Sequence, residues 1–217
     1  MNKLKEEYIE KYQKFLSPAA KRLEPFLREL LIGVPRIDNI CTRAKSVDRF
    51  LGKATKTDEK TGNPKYEFPL DEIQDQVGAR IVVFYLSDVV VLSDLIKKHF
   101  AYVENAIKAP ISDKEFGYFG EHFILTLPTD VTHDLQTDSS NVFELQIKTL
   151  FQHAWSEAEH DSSYKAPSEM TKDERRRVAL SSAHAWAADK IFDDFFNDIT
   201  DRSSDSRRVS DFLCKRS

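Results

Sequence analysis

Cysteine is nearly missing from this chain: Cys41 and Cys214 are the only two among 217 residues. Two such thiols build neither a disulfide framework nor a cysteine-rich zinc site, and their scarcity suits a reducing compartment such as the cytoplasm. Long apolar runs are missing too. The longest, Ile81 to Leu86, falls far short of the roughly 20 residues that a membrane-spanning helix needs. The opening residues Met1 to Glu7 hold no apolar stretch, so no secretory signal is expected. There is no Walker motif, no GxGxxG fingerprint and no HExxH pair, and neither cysteine has a metal-ligating neighbour. Nor is one sign of charge in excess: 32 Lys and Arg stand against 36 Asp and Glu, a net charge of −4. That argues against wholesale coating of nucleic acid and leaves room for a local basic site. What is there is 41% hydrophobic and 31% charged, the composition of a soluble globular chain long enough to bury a core.

Apolar spacing gives the elements. Leu4, Tyr8, Tyr12, Phe15 and Leu16, then Leu23, Phe26, Leu27, Leu30 and Leu31, predict helix over 3–31, with a break or a new first turn at Pro18. Ile37, Ile40, Cys41, Ala44, Val47 and Leu51 space like a second helix face. Glycines, prolines and charges over 52–69 read as a loop. Arg80 to Tyr85 reads as a strand buried on both faces, and Ser87-Asp88 as the cap of a helix reaching about His99. Further strands are expected at Phe123 to Leu127 and Val142 to Ile147. Helices follow from Thr149 and from Thr171, with a tail after about Asp201 that should fray. Helices flanking a few buried strands make the fold α/β or α+β with a small mixed sheet.

Four clusters carry possible chemistry. In an extended stretch Glu144, Gln146 and Lys148 share one face and Leu145 and Ile147 the other. A strand face given to carboxylate, amide and ammonium either pairs internally or lines a polar cleft. Asp75-Gln-Val-Gly78-Ala-Arg80 opens the preceding strand. Arg43, Lys45, Arg49 and Lys53 form a basic cluster, read either as a solvated helix face or as a phosphate grip. Phe116 to His122 places two glycines around an aromatic, a loop that presents a ring for stacking or a core aromatic at a strand entry. His153, Glu157 and His160-Asp161 share a helix face. A metal site or a His-Asp phosphohydrolase dyad there, or at His133-Asp134, would need ligands from helices that contain no histidine, so amphipathic packing is the favoured role.

In this order the segments resemble the RelA/SpoT synthetase family over about residues 36–165. The resemblance rests on Arg43-x-Lys45 with Lys53, Asp75-x-x-Gly78-x-Arg80, Lys114-x-x-Gly117-Tyr118-x-x-x-His122, Glu144-x-Gln146-Ile147-Lys148-Thr149, and Trp155, Glu159-His160 and Tyr164-Lys165. It implies a nucleotidyltransferase-like synthetase domain with N-terminal helices (1–35) and a C-terminal helix and tail (166–217). It also implies transfer of the β,γ-diphosphate of ATP to the 3′-hydroxyl of a purine nucleotide, GDP or GTP, releasing AMP. Asp75 and Glu144 are then expected to be catalytic and to hold Mg²⁺, with Glu144 taking the 3′-OH proton. Arg43 and Arg80 would sandwich adenine, and Lys45, Lys53 and Lys114 would contact phosphates. Tyr118 would stack on the acceptor base, with His122 and Gln146 orienting groups nearby. The chain departs from many members by carrying Phe116 for a polar residue and Gly120 for a serine in the acceptor loop, and Arg49 where serine is frequent.

Two other functions stand beside this one. A toxin branch of the family pyrophosphorylates the CCA end of tRNA, with an antitoxin protein as partner. Lys3, Lys5, Lys11, Lys14, Lys21, Arg22, Arg28 and Arg175-Arg176-Arg177 would track the tRNA backbone, although acids are interleaved with them. A catalytically dead nucleotide sensor is the third, and intact Asp75 and Glu144 argue against it. No membrane partner is expected, and an oligomer is compatible with the sequence.

Overall fold

The computed structural model describes residues 2–58, 61–108, 116–117, 120–135, 141–165 and 170–214. The N-terminal apolar stripe forms one helical arm: α1 (Asn2–Lys11), a wide π turn over Tyr12–Leu16, and α2 (Ser17–Leu30). Of the two roles expected of Pro18, the structure shows the new first turn and no break. The proline sits in the first turn of α2, where a missing N–H costs nothing.

The segment expected as a second helix is instead strand β1 (Ile37–Ala44) followed by α3 (Val47–Ala54). Ser46 separates them as the N-cap of α3, its hydroxyl accepting from the Arg49 N–H at 3.4 Å. The helical spacing across 37–51 arises from joining two short elements, an ambiguity that apolar pattern alone does not resolve. A 3₁₀ turn (Gln74–Gln76) leads into β2 (Val77–Val83), which starts three residues before the expected strand. Helix α5 (Leu86–His99) follows with Tyr85, not Ser87, as its N-cap; Asp88 caps it from the first turn, its carboxylate accepting from the Tyr85 N–H at 3.2 Å. Strand β3 (Tyr102–Lys108) was not expected. It is an edge strand with Tyr102, Val103 and Ile107 exposed, so it lacks the apolar run that marks a central strand. Strands β4 (Gly120–Thr126) and β5 (Val142–Thr149) match expectation and run slightly longer. Short helices α4 (Pro69–Glu72) and α6 (Thr129–Thr132) decorate the loops. Helix α7 (Leu150–Lys165) continues from β5, and α8 (Lys172–Cys214) remains helical through the stretch expected to fray.

The five strands form one mixed sheet in the order β1-β2-β5-β4-β3, and only β2 and β5 run parallel. This is the α/β architecture expected. Phe143, Leu145 and Ile147 of β5, with Phe123 and Leu125 of β4, are buried with Leu23 and Leu27 of α2 and Leu92 and Ile96 of α5. The opposite sheet face carries the polar members of the same strands and is flanked by α7.

Candidate active site

Strand alternation assembles the site. The register sets Gly78 beside Glu144 and Arg80 beside Gln146 on β2–β5, His122 beside Gln146 on β4–β5, and Arg43 beside Gly78 on β1–β2. These residues line a cleft of about 600 Å³ with Asp75, Lys148 and, from α7, Glu157, Glu159 and His160. The cleft reading of the polar β5 face therefore holds. A smaller cleft of about 260 Å³, with Lys53, Tyr66, Glu72 and Glu104 in its wall, shares Asp75, His122 and Glu144 with the first. The two carboxylates thus stand where two concave spaces meet.

Asp75 is aimed by its flanking residues. The buried Gln76 amide donates to the carbonyls of Leu70 and Ile73, both at 2.7 Å, and pins the turn. Lys45 and Lys53 then grip opposite oxygens of Asp75 at 2.8 and 2.9 Å. Lys45 is placed by the end of β1, its N–H bonded to the Gln76 carbonyl at 2.8 Å. Its own carbonyl accepts from the Tyr8 hydroxyl at 2.7 Å, and the Tyr8 ring stacks on Phe50 of α3 at 3.7 Å. The N-terminal arm therefore braces the lysine pair. Burial pushes the Asp75 carboxyl up, but the two ammonium groups outweigh it and hold the carboxyl below its ordinary range. Glu144 receives His122 Nδ1 at 2.9 Å on one oxygen and the Gln146 amide at 2.9 Å on the other. Burial again opposes ionisation, and these partners again hold the carboxyl below its usual range.

Arg80 reaches α7, where its guanidinium meets Glu157 at 2.7 Å and His153 at 3.3 Å. His153 and Glu157 thus orient an arginine. His133-Asp134 lies elsewhere, with Asp134 paired to Arg22 of α2 through Nη2 at 3.0 Å. Among the described residues no group of three or more His, Cys, Asp and Glu is placed to hold a metal ion.

The structure brings together Arg43, Asp75, Arg80, His122, Glu144 and Gln146 in the larger cleft, with Lys45 and Lys53 on Asp75. Lys114 and Tyr118 lie outside the described residues, as do the side chains of Tyr164 and Lys165. Sequence reasoning gave Lys148 no role. Its side chain is 3% exposed in the cleft wall, with Nζ donating to Ser156 Oγ at 3.0 Å. Its alternation with Glu144 and Gln146 was the available signal.

Residues 42–169 match the family described as "Region found in RelA / SpoT proteins". The chain belongs to the RelA/SpoT family. Among curated relatives it is 25% identical over 147 residues to the GTP pyrophosphokinase YwaC of Bacillus subtilis, covering 66% of each chain. It is 27% identical over 160 residues to the GTP pyrophosphokinase YjbM of the same organism, covering 71% of this chain and 69% of that one. Among solved structures, small alarmone synthetase 1 from Bacillus subtilis superposes with a TM-score of 0.70 at 22% identity, over 88% of this chain and 98% of the other. The same synthetase superposes when bound to its product pppGpp (TM-score 0.68, 23% identity, 87% and 98%) and to AMPCPP (TM-score 0.64, 20% identity, 88% and 98%). This RelA/SpoT fold thus extends beyond the matched region into the flanking helices. No described helix is long and apolar enough to cross a membrane.

Proposed function

We propose that this chain is an ATP-dependent pyrophosphokinase that moves the β,γ-diphosphate of ATP onto the 3′-hydroxyl of GDP or GTP, making ppGpp-type products. One observation carries the reading. Asp75 and Glu144 come from neighbouring elements into the same two clefts, each held anionic, with Lys45, Lys53, Arg43, Arg80 and Lys148 around them. In the transfer the 3′-oxygen forms a bond to the β-phosphorus, the bond from that phosphorus to the α,β-bridging oxygen breaks, and AMP leaves with that oxygen. Catalysis then consists of alignment and of neutralising phosphate charge. Glu144 is the base for the 3′-OH proton. His122 and Gln146 fix its two oxygens, which keeps it directed rather than free to rotate.

Arg43 and Arg80 are diagonal neighbours on β1 and β2, since Arg43 stands opposite Gly78 and Arg80 opposite Cys41. Both line the larger cleft, so adenine would stack between their guanidinium groups. Magnesium suits the donor set. Two carboxylates without a third ligand make no closed cage, but Mg²⁺ is commonly held by one or two carboxylates plus substrate phosphates. Asp75 and Glu144 would hold it, and it would supply charge neutralisation on the diphosphate.

The relatives named above are GTP pyrophosphokinases, which favours a guanine nucleotide as acceptor. Five of the ten residues expected to track tRNA are paired with acids: Lys3 with Glu7, Lys14 with Glu10, Arg28 with Glu24, Arg22 with Asp134 and Arg177 with Asp173. The deciding experiment incubates the protein with γ-labelled ATP and GDP, GTP, ATP or deacylated tRNA. Label in ppGpp or pppGpp is expected. Label in tRNA alone would replace this reading with the toxin, and label in no acceptor would refute both.

A further inference from the structure

The long C-terminal helix reaches the loop in which the acceptor is expected to bind. Ser182 of α8 is 4% exposed, and its hydroxyl donates to the Gly117 carbonyl at 2.7 Å across 65 residues of sequence. One turn on, the Trp186 ring meets Phe116 edge-on, with centroids 5.9 Å apart and planes at 60°. Two points of the loop, a main-chain carbonyl and the ring before it, are therefore held by one helix immediately ahead of Tyr118.

The same helix is fixed to the body further along its length. Thr149, the last residue of β5, donates its hydroxyl to Asp189 at 2.8 Å, and Asp193 accepts from the Ser87 N–H at 2.8 Å. Ser182, Trp186, Asp189 and Asp193 follow at intervals of four, three and four residues, so they share one face of α8. That face spans from the end of the strand carrying Glu144 and Gln146 to Phe116 and Gly117. Phe116 and Trp186 remain 43% and 44% exposed. Their contact removes little apolar surface from water, so it orients more than it stabilises. Phe116 also occupies the position where many family members carry a polar residue, and α8 provides the ring that meets it.

We propose that α8 is the anchor of the acceptor loop and that Ser182 and Trp186 are positioning residues for the acceptor. The binding half of this statement rests on the proposed function; the anchoring half does not. Helix α8 ties the loop to the end of β5, so the acceptor's hydroxyl and Glu144 share one frame.

The test uses the full chain with Ser182→Ala, Trp186→Ala and the conservative Ser182→Thr. Hydrogen exchange is followed at the amides of residues 116–120, with those of β2 as an internal reference. Both alanine variants should speed loop exchange by about three- to tenfold, the worth of one hydrogen bond, and leave β2 unchanged. The KM for GDP should rise by a similar factor with the KM for ATP unmoved, and Ser182→Thr should restore both readouts. Unchanged loop exchange in both alanine variants overturns the anchor. Faster exchange with an unaltered KM for GDP overturns the positioning role. A wild-type protein that transfers to no acceptor refutes the proposed function, while the exchange measurement still decides the anchor.

Discussion

Asp75 and Glu144 owe their charge to different neighbours, and this separates what their variants should do. Asp75 is held by two ammonium groups and Glu144 by an imidazole and an amide. Each carboxyl is lowered in the folded chain. The stability each contributes is thus present above the ordinary carboxyl range and is lost as pH falls through the folded value. Asp75→Asn and Glu144→Gln should each cut diphosphate transfer by more than about 10², with circular dichroism showing an intact fold; retention of a tenth of the wild-type rate would remove the residue from the chemistry. Lys148 behaves oppositely. Burial, aided by Arg80, pulls its ammonium down to about 8. Its positive charge is present below that value and fades as pH climbs through it. The kcat/KM for ATP should therefore fall above pH of about 8, and Lys148→Arg, which stays charged, should carry activity to higher pH. An identical alkaline limb in wild type and variant would show that another group titrates there.

At the scale of elements, the strands that carry the site could be read from sequence and the edges of the sheet could not. Strand β5 announces itself because alternation puts Phe143, Leu145 and Ile147 in the core and Glu144, Gln146 and Lys148 in the cleft. Strand β2 is apolar and central. Strand β1 was misread because it has a single fully buried residue, Ile40, and its pairing with β2 rather than its own pattern decides its conformation. Strand β3 was missed because an edge strand needs only one partner. Arg43 therefore reaches the candidate cleft from a strand and not from the expected helix. The grip of α8 on the loop depends on contacts distant in sequence, which spacing does not encode. Gly78 joins these levels. A Cβ there would sit 4.0 Å from Arg43 Cγ and 4.0 Å from the Glu144 carbonyl, so the fold accepts a side chain while the cleft loses space. Gly78→Leu should keep the melting temperature within a few degrees and raise the KM for ATP at least about tenfold, a loss of about 1.4 kcal/mol. An unchanged KM would place ATP away from the β1–β2 face.

At the scale of the molecule, α8 docks through buried carboxylates, an unusual choice for a helix packing on a core. Asp189 is 2% exposed, and burial pushes its carboxyl up to about 6, with Asp193 adding to the rise against the Thr149 hydrogen bond. The folded value lies above the ordinary aspartate value of 3.8. The native state therefore binds the extra proton, and stability declines as pH rises from about 4 to about 6, by up to ~3 kcal/mol. Asp189→Asn keeps an acceptor for Thr149 and cannot ionise. Its advantage over wild type in denaturant midpoint should grow across that window and level off above it. A pH-independent difference would mean that the carboxylate's charge is compensated in the folded chain. The topology also has a consequence in time. Strand β5 is the last of the described strands in chain order and occupies the centre of the sheet, between the β1–β2 and β3–β4 ladders. Each of those antiparallel pairs can form without it, but the parallel junction of β2 with β5 closes over a long stretch of chain and is slow. Glu144 meets Asp75 only at that step. A growing chain therefore carries two halves of the candidate cleft and no whole one until synthesis has passed β5.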